Sequence, residues 1–212
     1  MVDSGQRMPP YDNYSINIAA ELSESMANGP GKRYVIWVQG CCFKCPGCFN
    51  SAFQPIVPKN IVPVDIIARR ILSVKSIEGV TYSGGEPILQ CDALVELNNI
   101  LIKNDLSIVC YTGYTLEELY QLNNSKVIDF LSQIDILIDG RYQEANKTNL
   151  IWRGSRNQKV HFLTDRYKEY QALTNSNGEI ELIIGNDKIK FTGILQEEIL
   201  RRLNDRMKKG LK

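Results

Sequence analysis

The residues best suited to chemistry are four cysteines that lie within eight positions of one loop. The segment reads C-C-F-K-C-P-G-C, and Cys41, Cys45 and Cys48 have the spacing C-x3-C-x2-C. Three thiolates this close can hold three corners of a cubane iron–sulfur cluster. A cluster that only carries electrons needs a fourth thiolate, so the fourth iron here would stay open to a substrate, as a catalytic zinc does. The spacing predicts a 4Fe-4S cluster with Cys41, Cys45 and Cys48 as the metal ligands.

The alternative interpretation of this loop is a structural zinc site. Zinc takes four ligands, which would require a second cysteine or histidine pair downstream. Cys91 and Cys110 stand alone, and His161, the single histidine, lies in a predicted strand. The sequence therefore favours the cluster over zinc. We expect Cys91 and Cys110 to be small buried residues, since free cysteine is among the most buried residue types.

A second candidate loop is S-G-G-E-P at 83–87, which follows a predicted strand. Two glycines allow a backbone to approach a ligand closely, although Gly-Gly by itself indicates only a turn. In parallel α/β folds, ligands bind at the carboxyl ends of the strands, where this loop and the cysteine loop both lie. Two further strand ends, Thr112-Gly113 and Asp139-Gly140, share that edge. Plain turn chemistry is the alternative for both, and Asp139 is a candidate anchor for a cofactor or a cation.

The elements that must position these loops alternate between strands and helices. Apolar, β-branched runs predict strands, 3.6-residue periodicity predicts helices, and Thr115 and Glu118 have capping-box spacing. Parallel strands need crossover helices, so this order predicts an α/β fold with a parallel sheet and helices outside it. The predicted strands are 33–40, 79–83, 106–111 and 134–139, and the predicted helices are 64–76, 92–103 and 115–122.

The chain changes character beyond about residue 165. Segments 179–184 and 188–192 are predicted to pair as a hairpin, and a charged helix over 196–209 is predicted to follow. Residues 1–30 are polar and predicted to be irregular. We expect two domains, a core with its N-terminal lead-in over 1–165 and a small α+β appendage over 166–212.

The composition excludes several classes of function. The 212 residues carry a net charge of +1, with 43% hydrophobic and 23% charged residues, which is typical of globular proteins. Such a charge gives no reason to expect a nucleic acid or an anionic membrane as partner. No apolar run reaches the ~20 residues that cross a bilayer, and no signal-peptide pattern starts the chain. We expect a cytoplasmic protein.

These motifs resemble the radical S-adenosyl-L-methionine (SAM) superfamily, and more narrowly the activating proteins of anaerobic (class III) ribonucleoside-triphosphate reductase. The narrowest piece is W-R-G-S-x-N-Q at 152–158. The resemblance implies a partial (β/α) barrel, a 4Fe-4S cluster and SAM as cofactors. It also implies reductive cleavage of SAM to a 5′-deoxyadenosyl radical, which makes a glycyl radical on the reductase large subunit. A flavodoxin or ferredoxin-type protein would supply the electron. The matching pieces are N-G-P-G at 28–31, C-P-G-C-F-N at 45–50, S-G-G-E-P at 83–87, T-G-Y at 112–114 and D-G at 139–140.

The resemblance also assigns roles in cofactor binding. Gly84, Gly85 and Glu86 match the superfamily loop that holds the amino group of SAM. Many members have an aromatic residue before the third cysteine, whereas this chain has Gly47 there and Phe49 after it. We therefore expect the segment from Gly47 to Phe49 to contact the adenine. The implied cofactor-binding residues are Gly47, Cys48, Phe49, Ser83, Gly84, Gly85, Glu86, Thr112, Asp139, Arg153 and Ser155.

Two alternatives stay open at the level of the sequence. The same radical chemistry would serve another glycyl radical enzyme or a peptide substrate, because compact members of the family end near the position of His161, whereas this chain continues to residue 212. A non-catalytic iron–sulfur or zinc assembly module is the second alternative. For Arg153 and Ser155, a structural role in a polar loop that caps the sheet is the competing interpretation.

Overall fold

The core of the fold is a seven-stranded sheet with the order β3-β1-β2-β4-β5-β6-β7. The computed structural model describes residues 14–184, 189–193, 201–202 and 205. β2, β4, β5 and β6 are parallel to one another, whereas β1, β3 and β7 pair antiparallel with their neighbours. The predicted α/β class with a parallel sheet is therefore confirmed. The strands are β1 (Ser15–Ser25), β2 (Arg33–Val38), β3 (Ile61–Pro63), β4 (Gly79–Gly84), β5 (Ser107–Tyr111), β6 (Ile136–Asp139) and β7 (Lys159–Phe162).

Four α-helices connect these strands: α1 (Val64–Ser73), α2 (Cys91–Lys103), α3 (Leu116–Gln121) and α4 (Ser125–Ser132). α2 packs between α1 and α4, and their apolar faces join the sheet in the main hydrophobic core. The predicted capping box starts α3: Thr115 N–H donates to Glu118 Oε2 at 2.9 Å, and Glu118 N–H donates to Thr115 Oγ1 at 3.1 Å. Cys91 and Cys110 are both buried, which confirms the expectation for them.

The prediction of an irregular lead-in was wrong for its described part. β1 occupies Ser15–Ser25 and pairs with both β2 and β3. Its short apolar alternation, with Ile16 and Ile18 buried, is followed by polar residues that obscure the pattern in the sequence. Helix α4 was also missed. No helix in the described part of the chain is long and apolar enough to cross a membrane.

The C-terminal part contains the predicted hairpin, β8 (Ile180–Ile184) paired antiparallel with β9 (Ile189–Gly193). A 3-10 segment, Asp165–Leu173, precedes it and buries Tyr167 against the sheet. The predicted helix over 196–209 lies mostly outside the described residues; Arg201, Arg202 and Asp205 are helical.

The topology gathers the candidate loops at one edge. β2, β4, β5 and β6 run in the same direction, so their carboxyl ends lie side by side. The cysteine loop follows β2, the glycine loop follows β4, Thr112-Gly113 follows β5 and Gly140-Arg141 follows β6. This is the edge where parallel α/β sheets bind their ligands.

Candidate active site

A cavity of about 820 Å³ opens where these four loops meet. Residues from every candidate strand end line this cavity, so segments that are far apart in the sequence meet around it. The predicted site residues that line it are Cys41, Cys45, Cys48, Phe49, Ser83, Gly84, Gly85, Glu86 and Thr112.

The three predicted metal ligands all face this cavity, whereas Cys42 does not line it. The Cys42 sulfur lies 3.6 Å from the Tyr114 hydroxyl, and Phe43 beside it packs edge-on against the Tyr114 ring. The three sulfurs are not close enough together to hold a single metal ion as they stand, and no other group of three His, Cys, Asp or Glu side chains among the described residues could hold one.

Burial favours the neutral form of the Cys41 and Cys45 thiols. Burial, reinforced by the nearby Glu86 carboxylate, raises the pKa of Cys41 to about 12. Burial also raises the pKa of Cys45, with the neighbouring Cys48 adding to the effect. Metal ligation requires the thiolate, and the positive charge of bound iron would offset these shifts. Three thiols on one cavity wall are thus a donor set that fits a 4Fe-4S cluster.

The glycine loop lies directly against the cysteine loop. Gly85 N–H donates to Val38 O at 2.8 Å, and Glu86 N–H donates to Gly40 O at 2.9 Å. A Cβ at Gly85 would overlap the Gly40 carbonyl oxygen, so only glycine permits this approach. Because Gly40 immediately precedes Cys41, the two loops form one continuous wall of the cavity.

Glu86 joins the loops that follow β4 and β5. Its Oε1 accepts hydrogen bonds from Ile88 N–H at 3.0 Å and from the Thr112 hydroxyl at 2.8 Å, and Oε2 accepts from Gly113 N–H at 2.8 Å. The residue is only 1% exposed. Burial raises the pKa of Glu86 to about 7, although these hydrogen bonds oppose the shift. A cation entering the cavity would restore the charged carboxylate.

An aromatic surface borders the cysteine loop. The Phe49 ring lies 4.9 Å from the Tyr142 ring, between ring centroids, and the Lys147 ammonium is 5.9 Å from the Phe49 ring. Gly154 packs under Phe49, since a Cβ there would come within 2.9 Å of the Phe49 ring. Phe49 is half exposed into the cavity, so its ring is available to a flat ligand.

Four of the predicted cofactor-binding residues do not line the cavity: Gly47, Asp139, Arg153 and Ser155. Gly47 adopts a φ of +70°, and a Cβ there would crowd Glu144. Arg153 donates to the Thr174 carbonyl, and Ser155 Oγ accepts from Gln143 N–H at 3.1 Å. These contacts hold the loop that caps the sheet, so direct cofactor contact by these residues stays a prediction.

Asp139 is occupied by internal partners. Its Oδ2 accepts from Leu116 N–H at 2.8 Å and lies 2.8 Å from His161 Nε2, while Oδ1 accepts from Lys159 N–H at 3.2 Å. Burial would raise the pKa of Asp139, but the hydrogen bonds from His161 and Leu116 outweigh it and lower the pKa. The observed role is to tie β6 to β7 and to the start of α3.

Arg141, Tyr142 and Lys147 are among the cavity residues that sequence reasoning missed. The Arg141 guanidinium lies 4.5 Å from the Phe43 ring and 3.2 Å from Glu118 Oε1. Arg141 follows Gly140 at the carboxyl edge, and that position was a usable signal. Tyr142 and Lys147 reach the site through an irregular loop, for which the sequence offers no periodic signal.

Comparison with known proteins first defines the class. Residues 27–161 match the family model described as a 4Fe-4S single cluster domain, a range that contains the cysteine loop, the glycine loop and the strands from β2 to β6 with most of β7.

Similar proteins of known name identify the family within this class. An anaerobic ribonucleoside-triphosphate reductase-activating protein from Enterobacteria phage T4 is 32% identical over 145 residues, covering 65% of this chain and 88% of that protein. The protein of the same name from Escherichia coli K12 is 33% identical over 152 residues, with 65% and 93% covered. The one from Pasteurella multocida is 31% identical over 158 residues, with 70% and 99% covered. This chain belongs to the family of anaerobic ribonucleoside-triphosphate reductase-activating proteins.

Proposed function

We propose that this chain is a radical SAM activating enzyme for anaerobic ribonucleoside-triphosphate reductase. Cys41, Cys45 and Cys48 would hold a 4Fe-4S cluster, and the cluster together with SAM would supply the reductive radical chemistry that places a glycyl radical on the reductase. The cofactor carries this chemistry, and the protein binds, orients and shields it. The main support for this proposal is that the C-x3-C-x2-C cysteines and the glycine loop line the same cavity.

The cysteine loop would hold the cluster. Cys41, Cys45 and Cys48 line the cavity, and the hydrogen bonds from Gly40 N–H to Phe53 O and from Cys41 N–H to Gln54 O, at 2.8 and 2.9 Å, close the loop on itself. Cys42, turned toward Tyr114, would remain a free thiol. Three protein ligands leave one cluster position for SAM.

The remaining loops would hold SAM. Glu86 carries a buried carboxylate at the cavity wall and would attract the SAM amino group, whose positive charge favours the ionised acid. Ser83, Gly84 and Thr112 line the same wall and would fix the methionine moiety by hydrogen bonds. Phe49 would pack against the adenine, with Tyr142 supporting its ring. Arg141 at the end of β6 and Lys147 beside Phe49 add positive charge to the cavity wall.

The finer fold and partner assignments belong to the same proposal. The parallel strands β2, β4, β5 and β6 with their crossover helices would form the partial barrel of the radical SAM type. The core would span 1–165, with the appendage over 166–212. A flavodoxin or ferredoxin-type protein would supply the electron, and the free thiols suit the reducing cytoplasm.

The test is an EPR measurement on the reconstituted protein. The chain is loaded with iron and sulfide anaerobically, reduced, and mixed with SAM and the large subunit of the host's anaerobic reductase. A glycyl-type doublet that requires SAM supports the proposal. If 5′-deoxyadenosine forms without a doublet, the radical chemistry stands and the target is another glycyl radical enzyme or a peptide. A colourless protein containing zinc would instead favour an assembly module.

A further inference from the structure

The C-terminal hairpin forms part of the wall of the same cavity. Ile183 of β8 and Phe191, Thr192 and Gly193 of β9 line it together with the three cluster cysteines. The family model ends at residue 161, so the hairpin lies beyond the residues that this match covers. A feature outside the matched core thus reaches the site at which the chemistry is expected.

Hydrogen bonds fix the hairpin at the turn between β1 and β2. Ser25 Oγ donates to Glu181 Oε2 at 2.6 Å, and Met26 N–H donates to the same oxygen at 3.2 Å. Asn28 Nδ2 donates to the buried Thr192 Oγ1 at 2.7 Å. Two of these bonds reach Glu181 of β8 and one reaches Thr192 of β9, so the hairpin is held at both of its strands.

The cavity therefore has two chemically different halves. At the carboxyl edge it presents Glu86, Thr112 and Arg141, which suit a charged cofactor. From there it runs along β1, past Ala20 and Leu22, to Ile183 of the hairpin. This second half is mostly apolar, and its polar side chains have partners within the protein: Glu21 accepts hydrogen bonds from Tyr34 and Arg70, and Asn28 donates to Thr192. The cavity volume of about 820 Å³ lies toward the upper end of the range for small-ligand sites.

We propose that the apolar half receives an extended polypeptide segment of the radical-accepting partner, and that the hairpin β8–β9 is the wall that selects it. The inference rests on the proposed function, because hydrogen abstraction requires the target Cα–H to approach within about 3–3.5 Å of the reacting carbon. The partner's glycine is part of a polypeptide, so its flanking backbone must enter the cavity with it.

The backbone of β9 suits this occupant. Successive side chains of a strand point to opposite faces, so three consecutive lining residues mean that the β9 backbone itself borders the cavity. In the described part of the chain β9 pairs only with β8, which leaves one edge of β9 without a ladder partner there. An extended segment gains main-chain hydrogen bonds at such an edge and specificity from the apolar wall beside it.

Two neighbouring isoleucines of β8 provide the test. Ile183 faces the cavity, whereas Ile184 is 78% exposed and does not line it. Ile183→Asp and Ile184→Asp introduce the same charge and the same unfavourable residue into the same strand. Each variant is compared with the wild-type chain in three measurements: its affinity for the host's reductase large subunit, its reductive SAM cleavage without the reductase, and its glycyl radical yield.

The proposal predicts that Ile183→Asp weakens binding of the reductase by roughly tenfold or more, because an apolar contact is replaced by a charge. Reductase binding falls by a larger factor than SAM cleavage measured without the reductase, and Ile184→Asp matches the wild type throughout. Equal effects of the two variants, no effect of Ile183→Asp, or a fall in SAM cleavage as large as the fall in reductase binding would each overturn it.

Failure of the proposed function gives a different pattern. A wild-type chain that binds the reductase but forms no glycyl radical contradicts the activating role, while the two affinities still decide whether the hairpin selects the partner. A wild-type chain that does not bind the reductase overturns both.

Discussion

Cys42 and Cys45 lie three positions apart in one loop and have different surroundings. Cys45 lines the cavity, whereas the Cys42 sulfur lies against the Tyr114 hydroxyl. Substituting each of these two cysteines in turn therefore distinguishes a thiol that binds the cluster from one that only packs in the loop.

We predict that Cys45→Ala abolishes the cluster and that Cys42→Ala retains it. Removal of Cys45 leaves only two of the three proposed ligands, while Cys42 contributes packing beside Phe43 and Tyr114. Iron content and visible absorbance of the anaerobically reconstituted variants measure this. Equal iron loss in both variants would show that the ligand assignment is wrong.

The buried carboxyl of Glu86 makes folding stability depend on pH. Its folded pKa of about 7 exceeds the ordinary value of 4.5, so the folded state binds the proton more tightly than the unfolded chain. The stability that this provides is complete below pH 4.5 and is lost as the pH rises through 7.

We predict that Glu86→Gln removes this part of the pH dependence. Relative to the variant, the cofactor-free wild type should lose up to about 3 kcal/mol of unfolding free energy across that window. Denaturant unfolding of both proteins from pH 5 to 8 measures how the unfolding free energy changes with pH. The slope against pH is compared rather than the absolute stability, because glutamine also changes the hydrogen bond to Gly113 N–H. Parallel stability curves would contradict the prediction.

At the scale of elements, the close approach of two loops depends on individual glycines. Gly85 packs on the backbone carbonyl of Gly40, whereas Gly113 packs on the ring of Phe43. A ring can rotate away from an added methyl group, but the backbone of a loop fixed at both ends cannot do so easily.

We predict that Gly85→Ala destabilises the fold by about 3 kcal/mol and that Gly113→Ala costs about 1 kcal/mol. The Gly85 variant should also bind SAM more weakly, because the added methyl group pushes the glycine loop away from the cysteine loop and so distorts the cavity wall. Denaturant unfolding and SAM-binding titrations of both variants test this ranking, and a reversal would argue against the loop contact.

At the scale of the whole molecule, the segment after residue 165 packs against the sheet of the core. Tyr167 is 5% exposed, and its hydroxyl lies 2.8 Å from Ser107 Oγ and 3.5 Å from the guanidinium of the buried Arg33. Arg33 also donates to Thr81 Oγ1 at 2.8 Å, which links β2 and β4 to the same network. The segment after residue 165 therefore contributes to the stability of the sheet.

We predict that Tyr167→Ala costs about 3–5 kcal/mol of unfolding free energy, since it removes a buried aromatic ring and a hydrogen bond in the network. Tyr120→Ala is the control: that side chain is 57% exposed and should change stability by less than about 0.5 kcal/mol. Equal losses for the two would mean that the contact of Tyr167 with the sheet is not stabilising.

Much of the fold and of the candidate site was predictable because its signals are local. The cysteine spacing, the Gly-Gly turn and the Thr115 capping box depend on neighbouring residues, and the order of strands and helices implies parallel pairing. Parallel pairing in turn brings the cysteine and glycine loops to one edge. The strand β1 was missed because its few apolar positions merge into a polar stretch.

The sequence by itself determined which residue types are available for a cluster and for SAM, and the class of sheet that carries them. Only the tertiary structure decided the directions of the side chains: Asp139 turns to His161 and Leu116, and Ser155 turns to Gln143. It also decided that the hairpin β8–β9 reaches the cavity. The physical reason is that such orientations follow from hydrogen bonds and packing between residues far apart in the chain, which no local pattern encodes.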